Sequence, residues 1–362
     1  MKSRRRDVLL GTAAAVGVAG NLAAPAIAQG IKEFKMVTSW PKNMPGLQTS
    51  AERLAQSIIT SSDGRLKITV YPADSLVRAF EVFDAVGAGI ADMYHSDEAY
   101  FEGKSQALHF FAAVPYGLTA NELCSWVDFG GGQELWDELD AQFNIKPLMA
   151  TNTGVQMGGW FTKEINSPAD YKGLRYRMAG PGAEVLRRMG ATVVTTAGGE
   201  IAGALKSGAI DAAEWIGPWM DMDLGLNKVA DYYYYPGFHE PGTSMTLGVN
   251  KTIWDGLTDS ERSLIEAAAR AEVTRSLAQF NAENVQWLKK LREDKRIKVL
   301  RFNDELIKAF GKLSREVLAE LAAKDPLTRK VYDSYTVFLA GMMDWTELSE
   351  RGYLDARRLA LS

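Results

Sequence analysis

Two stretches of the sequence alternate short apolar segments, typical of strands, with longer amphipathic segments, typical of helices. The first stretch covers residues 34–95 and the second covers residues 145–215. Strands that alternate with helices of this length predict βαβ units and a mostly parallel sheet. Because the chain has 362 residues, it is long enough to divide these units between two domains.

Polar side chains mark the ends of the predicted strands in the second stretch. In an open α/β sheet, small ligands bind in the crevice outside the carboxyl ends of the strands. We therefore expect Gln156, Arg177 and Glu214 to converge on one ligand. The segments that carry them are residues 152–161, 172–180 and 211–218.

The N-terminus has the three parts of an export signal in order. Arginines at 4–6 followed by Asp-Val-Leu precede a weakly apolar run over residues 11–24, and Ala26-Ile27-Ala28 is a small-residue cleavage site. We predict a signal peptide over residues 1–28, with arginines that suit the twin-arginine route. Its removal takes away four basic residues and one acidic residue, so the formal net charge changes from −4 to −7. This acidic balance argues against a nucleic-acid partner, and no later apolar run is long enough to cross a bilayer.

The residue types that common enzyme motifs need are absent or misplaced. None of His95, His109 and His239 lies in a metal-ligand pair such as His-Glu-x-x-His, and the single cysteine, Cys124, cannot form an internal disulfide. The glycines at 130–132 lack the Lys-Ser or Lys-Thr of a phosphate-binding loop and predict a turn between two helices. We interpret Cys124 as a core residue of a helix, with a reactive thiol as the alternative. Nothing in these motifs supports catalysis.

Arg177 is the candidate for recognising a small anion. It lies two residues after Arg175 on a predicted strand, so both side chains point to the same face of the sheet. The planar guanidinium matches a carboxylate with two parallel hydrogen bonds. The alternative is a salt bridge at the domain surface.

Glu214, close to Asp211 in the sequence, would repel a carboxylate ligand. A cation between Glu214 and the ligand removes this conflict, with Gln156 supplying a neutral oxygen and backbone carbonyls completing the shell. Because these donors are hard oxygens, the ion would be sodium or calcium. The alternative is a buried pair between Glu214 and Arg177 without a metal, and the residues alone favour that alternative.

Aromatic side chains near these segments could enclose a short alkyl tail. A few orienting polar groups within an aromatic wall are typical of a small-molecule site. The candidates are Trp40, Tyr100, Trp160, Phe161 and Trp215.

The C-terminal third is predicted to be mostly helical. A long amphipathic helix covers residues 258–291, with Thr258 as its cap and Glu261 three residues later. A helix of this length can span both domains. A further apolar stripe packs either on its own chain or on a second copy of the chain. The stripe consists of Val331, Tyr335, Phe338, Met342 and Trp345.

At these residues the sequence resembles the solute-binding proteins of TRAP (tripartite ATP-independent periplasmic) transporters, and within them the branch that binds 2-oxo monocarboxylates. The similarity extends over nearly all of the chain after the predicted signal. The runs around Gln156 and Glu214 are specific, whereas Lys-Gly-Leu-x-x-Arg at 172–177 occurs throughout the wider superfamily. The segments that carry the resemblance include residues 39–43, 117–120, 131–136, 154–161, 173–177, 211–215, 232–236 and 239–242.

The resemblance implies an α/β, two-lobed periplasmic binding protein fold of the type II-like class. It also implies a long helix that spans both lobes and a helical C-terminal extension. The expected organisation is lobe I at 29–147, lobe II at 148–235, a return to lobe I with the spanning helix at 236–292, and a lobe II strand with C-terminal helices at 293–362.

The resemblance also implies roles for the site residues. Arg177 matches the arginine that grips the substrate carboxylate. Gln156, Glu214 and the main chain at Trp215 match the ligands of a sodium or calcium ion that bridges the carboxylate and the 2-oxygen. The ligand would be delivered in the periplasm to the membrane subunits of the transporter, and the C-terminal helices could exchange between copies in a homodimer.

One segment departs from the pattern of that branch. The chain has Asp97 and Glu98 where small or apolar residues are usual, near the expected mouth of the cleft. If these acids face inward, they disfavour ligands with two negative charges.

We therefore predict a periplasmic receptor, not an enzyme, for a pyruvate-like or lactate-like monocarboxylate. Within the binding class, the alternative is another organic acid, such as a sugar acid or a dicarboxylate. From another class, the alternative is an exported metal-dependent lyase that uses Glu214 and His239 as acid and base.

Overall fold

The computed structural model of the protein describes residues 30–362, so the predicted signal peptide lies outside the described residues. The strands are β1 (Lys32–Thr38), β2 (Leu66–Tyr71), β3 (Met93–Ser96), β4 (Ile145–Asn152), β5 (Gly159–Phe161), β6 (Arg175–Arg177), β7 (Thr192–Val194), β8 (Ala212–Ala213), β9 (Tyr232–Tyr235), β10 (Ser244–Asn250) and β11 (Lys298–Arg301). The α-helices are α1 (Leu47–Ser61), α2 (Val82–Gly87), α3 (His109–Ala112), α4 (Ala120–Phe129), α5 (Gly132–Ala141), α6 (Gly180–Arg188), α7 (Ile201–Lys206), α8 (Pro218–Asp223), α9 (Lys251–Asp255), α10 (Asp259–Glu293), α11 (Asp304–Ala322), α12 (Pro326–Thr346) and α13 (Gly352–Leu361).

Lobe I is built on a five-stranded sheet in the order β2-β1-β3-β10-β4. Adjacent residues of a strand point to opposite faces. On β1, Met36 lies in the core formed with α1 and α10, whereas Val37 lies in the core formed with helices α2 to α5. Helices therefore cover both faces of the sheet, which explains why its strands read as nearly continuous apolar runs.

Lobe II is built on a six-stranded sheet in the order β11-β9-β5-β8-β6-β7. Its two faces also carry separate cores. Trp160 on β5 packs with Trp215 and Tyr233 on one side, and Phe161 packs with Tyr176 on the other.

The two sheets are mixed, which corrects the prediction of a mostly parallel sheet. β10 runs antiparallel to β3 and β4, and β5 runs antiparallel to β8 and β9. The reason is the path between the lobes. The chain leaves lobe I at Asn152 and re-enters it at Ser244, and these two residues pair side by side. A strand that enters where its neighbour leaves must run in the opposite direction.

The prediction of a long helix that spans both lobes is confirmed. Thr258 accepts a hydrogen bond from the main-chain N–H of Glu261, and the Glu261 side chain accepts one from the Thr258 N–H, which completes the predicted capping box. Along α10, Ile265 lies in the core of lobe I and Phe280 in the core of lobe II. The helix therefore joins the two lobes.

The C-terminal helices pack on both lobes. Helix α11 packs against α6 of lobe II, whereas α12 packs against α4 and α5 of lobe I. Val331 and Tyr335 are buried there, and the main-chain N–H of Leu118 donates to the Tyr335 hydroxyl at 2.7 Å. Trp345, at the end of the predicted stripe, is 63% exposed. The beginning of the stripe therefore packs on its own chain, and its end does not.

Cys124 lies on α4 as predicted. It is partly buried, with its sulfur 3.6 Å from the Met149 sulfur. Burial raises the pKa of the thiol to about 11, so the reactive thiolate is not the favoured form.

Candidate functional site

The two arginines of β6 occupy different environments. Arg175 lies at the start of the strand, is largely exposed and pairs with Asp211 at 2.5 Å. Arg177 lies at the carboxyl end of the strand, and its side chain is only 2% exposed. There it donates through Nε to the carbonyl of Thr196 at 3.2 Å and stands over the Trp215 ring, 5.2 Å from the ring centroid. The position along the strand therefore decides that Arg175 forms a surface salt bridge and that the guanidinium of Arg177 is buried at the cleft.

Glu214 lies one residue beyond β8 and pairs with Arg177. Arg177 Nη1 donates to the main-chain carbonyl of Glu214 at 3.0 Å and also to its carboxylate. The other carboxylate oxygen lies 3.4 Å from His239 Nε2. Burial alone would raise the pKa of Glu214, but Arg177 and His239 hold it below its ordinary value. The structure thus contains the buried Arg177–Glu214 pair, which the sequence analysis gave as the alternative to a cation site.

Gln156 presents an amide oxygen with no hydrogen-bond partner. Its Nε2 donates to the Thr153 hydroxyl at 3.3 Å and to the Thr243 hydroxyl at 3.0 Å. Thr243 in turn donates to a carboxylate oxygen of Glu240 at 2.7 Å. This chain of donors fixes the amide orientation and leaves Gln156 Oε1 buried and unpaired. An unpaired buried oxygen is costly unless a ligand satisfies it.

The donor atoms in this region fit a cation. Oxygens of Glu214 and Glu240 and a ring nitrogen of His239 all lie within 4.8 Å of one another. Burial, and then the charge of Glu214, raise the pKa of Glu240 to about 8. A cation would relieve this concentration of buried negative charge and complete the shell of Gln156 Oε1. The Arg177–Glu214 pair leaves Gln156 Oε1 without a partner.

Gln156, Arg177, Glu214 and Glu240 line a small cavity between the lobes, of about 20 Å³. Six of the predicted site residues meet there, joined by residues that sequence reasoning did not select. The lining consists of Trp40, Leu47, Asp97, Tyr100, Gln156, Arg177, Ala179, Glu214, Trp215, Ile216, Glu240 and Met245.

Trp40 is held rigidly in the cavity wall. Its Nε1 donates to His95 Nδ1 at 2.8 Å, and His95 Nε2 lies 2.9 Å from the Thr151 hydroxyl. Burial lowers the pKa of His95 to about 3, so the imidazole is neutral and its Nδ1 can accept the indole hydrogen. The role of His95 is to orient Trp40.

Trp160 and Phe161 do not line the cavity, which corrects their assignment to the ligand pocket. Trp160 stacks on Tyr233 with ring centroids 4.1 Å apart and donates to Asp221 at 3.0 Å. Phe161 packs edge-to-face on Tyr176 and Tyr234. Both faces of β5 are covered, so its aromatic side chains enter the two cores of lobe II instead of the cleft.

Asp97 and Glu98 face different surroundings. Asp97 lines the cavity, whereas Glu98 is buried in lobe I, where the Tyr94 hydroxyl donates to it at 2.7 Å. Only the first of the two acids that depart from the pattern of that branch therefore lines the cavity.

Two supporting residues were missed by sequence reasoning. Glu240 follows His239 in residues 239–242, which indicated the family resemblance but no site residue. Its role depends on the hydrogen bond from Thr243, three residues later. Asp221 on α8 accepts from the main-chain N–H groups of Ile216 and Gly217, both at 3.0 Å. It thereby holds the loop after Glu214 in place. An acid close after a Gly-Pro turn is the only signal that could have indicated it.

With this geometry in view, comparison with known proteins identifies the family. Residues 36–325 match the family model DctP, described as bacterial extracellular solute-binding protein, family 7. The chain belongs to this family. The predicted kinship with TRAP solute-binding proteins and the predicted two-lobed α/β fold are thus confirmed.

Three family 7 relatives illustrate the similarity. The monocarboxylate 2-oxoacid-binding periplasmic protein of Nostoc sp. is 39% identical over 320 residues, which cover 88% of this chain and 87% of the relative. A TRAP transporter solute-binding protein of Bordetella bronchiseptica, solved as a mixed-occupancy dimer with calcium and picolinate, is 36% identical at a TM-score of 0.89 and covers 92% of this chain and 98% of its own. One from Pseudoalteromonas atlantica, with sodium and pyruvate, is 35% identical at a TM-score of 0.87 and covers 90% of this chain and 99% of its own.

Among residues 30–362, no helix is both long enough and apolar enough to cross a bilayer.

Proposed function

We propose that the protein is a periplasmic TRAP receptor that binds a small 2-oxo or 2-hydroxy monocarboxylate together with a sodium or calcium ion. The observation that carries this proposal is that the buried Arg177, the unpaired Gln156 Oε1 and the Glu214 carboxylate line one cavity. A carboxylate ligand would pair with the guanidinium of Arg177. A cation would bind the Glu214 carboxylate and the Gln156 amide oxygen.

The roles of the residues follow from their chemistry. Arg177 binds the ligand carboxylate, which takes the place of the Glu214 carboxylate on the guanidinium. Gln156, Glu214 and the main-chain carbonyl of Trp215 hold the cation. The cation supplies positive charge that lets an acid and an anionic ligand share a dry site. Picolinate and pyruvate are bound by similar proteins. Both are monocarboxylates with a lone-pair donor bonded to the carbon next to the carboxylate group, so the donor and the carboxylate can bind one cation together.

The cavity wall favours a ligand with one carboxylate. Trp40 and Tyr100 line the same cavity as Arg177 and offer an aromatic wall to a short tail. Asp97 in the same wall would repel the second carboxylate of a dicarboxylate. These features favour a pyruvate-like or lactate-like ligand over a dicarboxylate.

We further propose that the receptor binds its ligand without chemical turnover. The lyase alternative would use Glu214 and His239, but Arg177 and His239 hold the pKa of Glu214 low while Glu214 raises that of His239. A carboxylate whose pKa is held low is a weak base, so Glu214 is poorly suited to proton abstraction.

Export and assembly complete the proposal. The signal peptide directs the receptor to the periplasm, where it delivers the ligand to membrane subunits of a TRAP transporter. Exposed apolar side chains on the last helices support a homodimer through this region. They include Val337, Met343, Trp345, Leu348, Tyr353, Leu359 and Leu361.

A thermal-shift panel tests the ligand class. With calcium present, we expect pyruvate, lactate and 2-oxobutyrate to raise the midpoint of unfolding, and succinate and galacturonate to leave it unchanged. Stabilisation by succinate or galacturonate alone would overturn the assignment.

In the same samples, NMR should show unchanged pyruvate after prolonged incubation, whereas conversion of the pyruvate would favour the lyase.

A further inference from the structure

Asp97 is a fixed feature of the cavity wall. It follows directly after β3, an interior strand of the lobe I sheet. Its Oδ1 accepts a hydrogen bond from the main-chain N–H of Ala99 at 2.8 Å, which sets the direction of the carboxyl group. The side chain is buried and lines the cavity. Asp97 is therefore placed for contact with a ligand, not for contact with solvent.

The proposed binding mode directs the ligand's tail to the lobe I side of the cavity. With Arg177, Gln156 and Glu214 at the carboxylate end, the wall left for the tail is the one that lobe I supplies. In that wall, Leu47 and Met245 are apolar and the Trp40 indole N–H is already bonded to His95. The polar side chains left in this part of the lining are Asp97, Tyr100 and Glu240, and Glu240 already accepts a hydrogen bond from Thr243.

Within residues 30–362, the hydrogen bond that the Asp97 carboxyl group accepts is the one from Ala99 to Oδ1, so its second oxygen is left for a ligand. Burial, and then the negative charges of Glu98 and Glu214, raise the pKa of Asp97 to about 7 despite the bond from Ala99. A methyl tail would leave the second carboxyl oxygen facing an apolar group, which costs free energy. A hydroxyl in the same place would donate a charge-assisted hydrogen bond to it.

We propose that Asp97 selects monocarboxylates whose tail carries a hydroxyl group next to the 2-oxo or 2-hydroxy carbon. This inference rests on the proposed function, because it assumes that Arg177 and the cation hold the other end of the ligand. It names the 3-hydroxy derivatives of small 2-oxo acids as the preferred class over their plain alkyl counterparts.

The test compares two ligands of similar size by calorimetric titration with calcium present. In 3-hydroxypyruvate a hydroxyl stands where 2-oxobutyrate has a methyl. The wild-type receptor should bind 3-hydroxypyruvate more tightly than 2-oxobutyrate, by about 10-fold or more. Asp97→Ala should remove or invert this preference, and Asp97→Asn should keep part of it. Glu98→Gln, which changes the neighbouring acid that faces away from the cavity, should keep all of it.

The outcomes separate this inference from the proposed function. Binding of both ligands with a ratio near one, or a ratio that Asp97→Ala leaves unchanged, would overturn the role of Asp97 alone. Failure of the wild-type receptor to bind either ligand with calcium or sodium would overturn the proposed function itself. If Asp97→Ala does not fold, the wild-type ratio and the Asp97→Asn ratio still decide the question.

Discussion

The guanidinium of Arg177 donates both to the carboxylate and to the main-chain carbonyl of Glu214, and each of the two side chains is only 2% exposed. A buried pair of this kind is costly to break by removing one partner. It can, however, exchange partners if a ligand carboxylate takes the arginine and a cation takes the glutamate. Arg177 and Glu214 are therefore the residues that we propose for the ligand carboxylate and for the cation.

Replacement of Arg177 tests the carboxylate contact. Arg177→Met should weaken pyruvate binding by about 100-fold or more, because a buried charge-assisted contact is lost. The matched control is Arg175→Met, which lies on the same strand but is exposed and paired with Asp211. Calorimetry of both variants should show a defect only in the first, and an equal loss in both would place the site elsewhere.

Replacement of Glu214 tests the cation. Glu214→Gln should lower the affinity for calcium by about 10-fold or more, because one charged ligand of the ion is removed. Asp211→Asn is the control, since Asp211 lies three residues earlier and outside the cavity lining. Calcium titrations followed by intrinsic fluorescence would measure this. Unchanged calcium affinity in Glu214→Gln would contradict the role of Glu214.

Glu98 should make the stability of the chain depend on pH. Burial raises its pKa from 4.5 to about 7, so its favourable contribution is complete below about pH 4.5 and is lost as the pH rises through 7. Glu98→Gln removes that loss and should stabilise the protein at pH 8 by about 1–3 kcal/mol, with little effect at pH 4.5. Glu316→Gln, on the exposed face of α11, is the control. Urea unfolding at both pH values would measure the difference. Destabilisation by Glu98→Gln at pH 8 would contradict this account.

The segment after Thr346 should carry an essential part of the dimer contact and no part of the ligand site. A chain that ends at Thr346 loses the exposed Leu348, Tyr353 and Leu359 but keeps Val331 and Tyr335 in the core. Light scattering should then report a monomer where the full chain is a dimer, with pyruvate affinity unchanged. A truncated chain that remains a dimer would show that the contact lies elsewhere.

Local sequence patterns predicted the elements that depend on local chemistry. The capping box at Thr258 and Glu261 and the turn at residues 130–132 follow from neighbours in the sequence, and both are present. The meeting of Gln156, Arg177 and Glu214 followed from a general rule on strand ends. These features need no knowledge of distant contacts.

Features that depend on distant contacts were not predictable. The direction of β10 is set by the crossing between lobes, which no local pattern records. Trp160 and Phe161 lie on a strand covered on both faces, and alternation cannot distinguish such a strand from one that faces a cleft. Asp97 and Glu98 are adjacent, and only the packing of lobe I determines which one lines the cavity. Strand spacing placed Arg175 and Arg177 on one face but could not say which of them is buried.

Calorimetric titration of the wild-type receptor with pyruvate tests the central claim most directly. The protein is first stripped with chelator and titrated, and then titrated again with calcium or sodium restored. We expect weak or absent binding without the cation and binding tighter by about 10-fold or more when one of the two ions is present. Equal affinity with and without the cation would show that Glu214 serves only as the partner of Arg177, and would contradict the cation site.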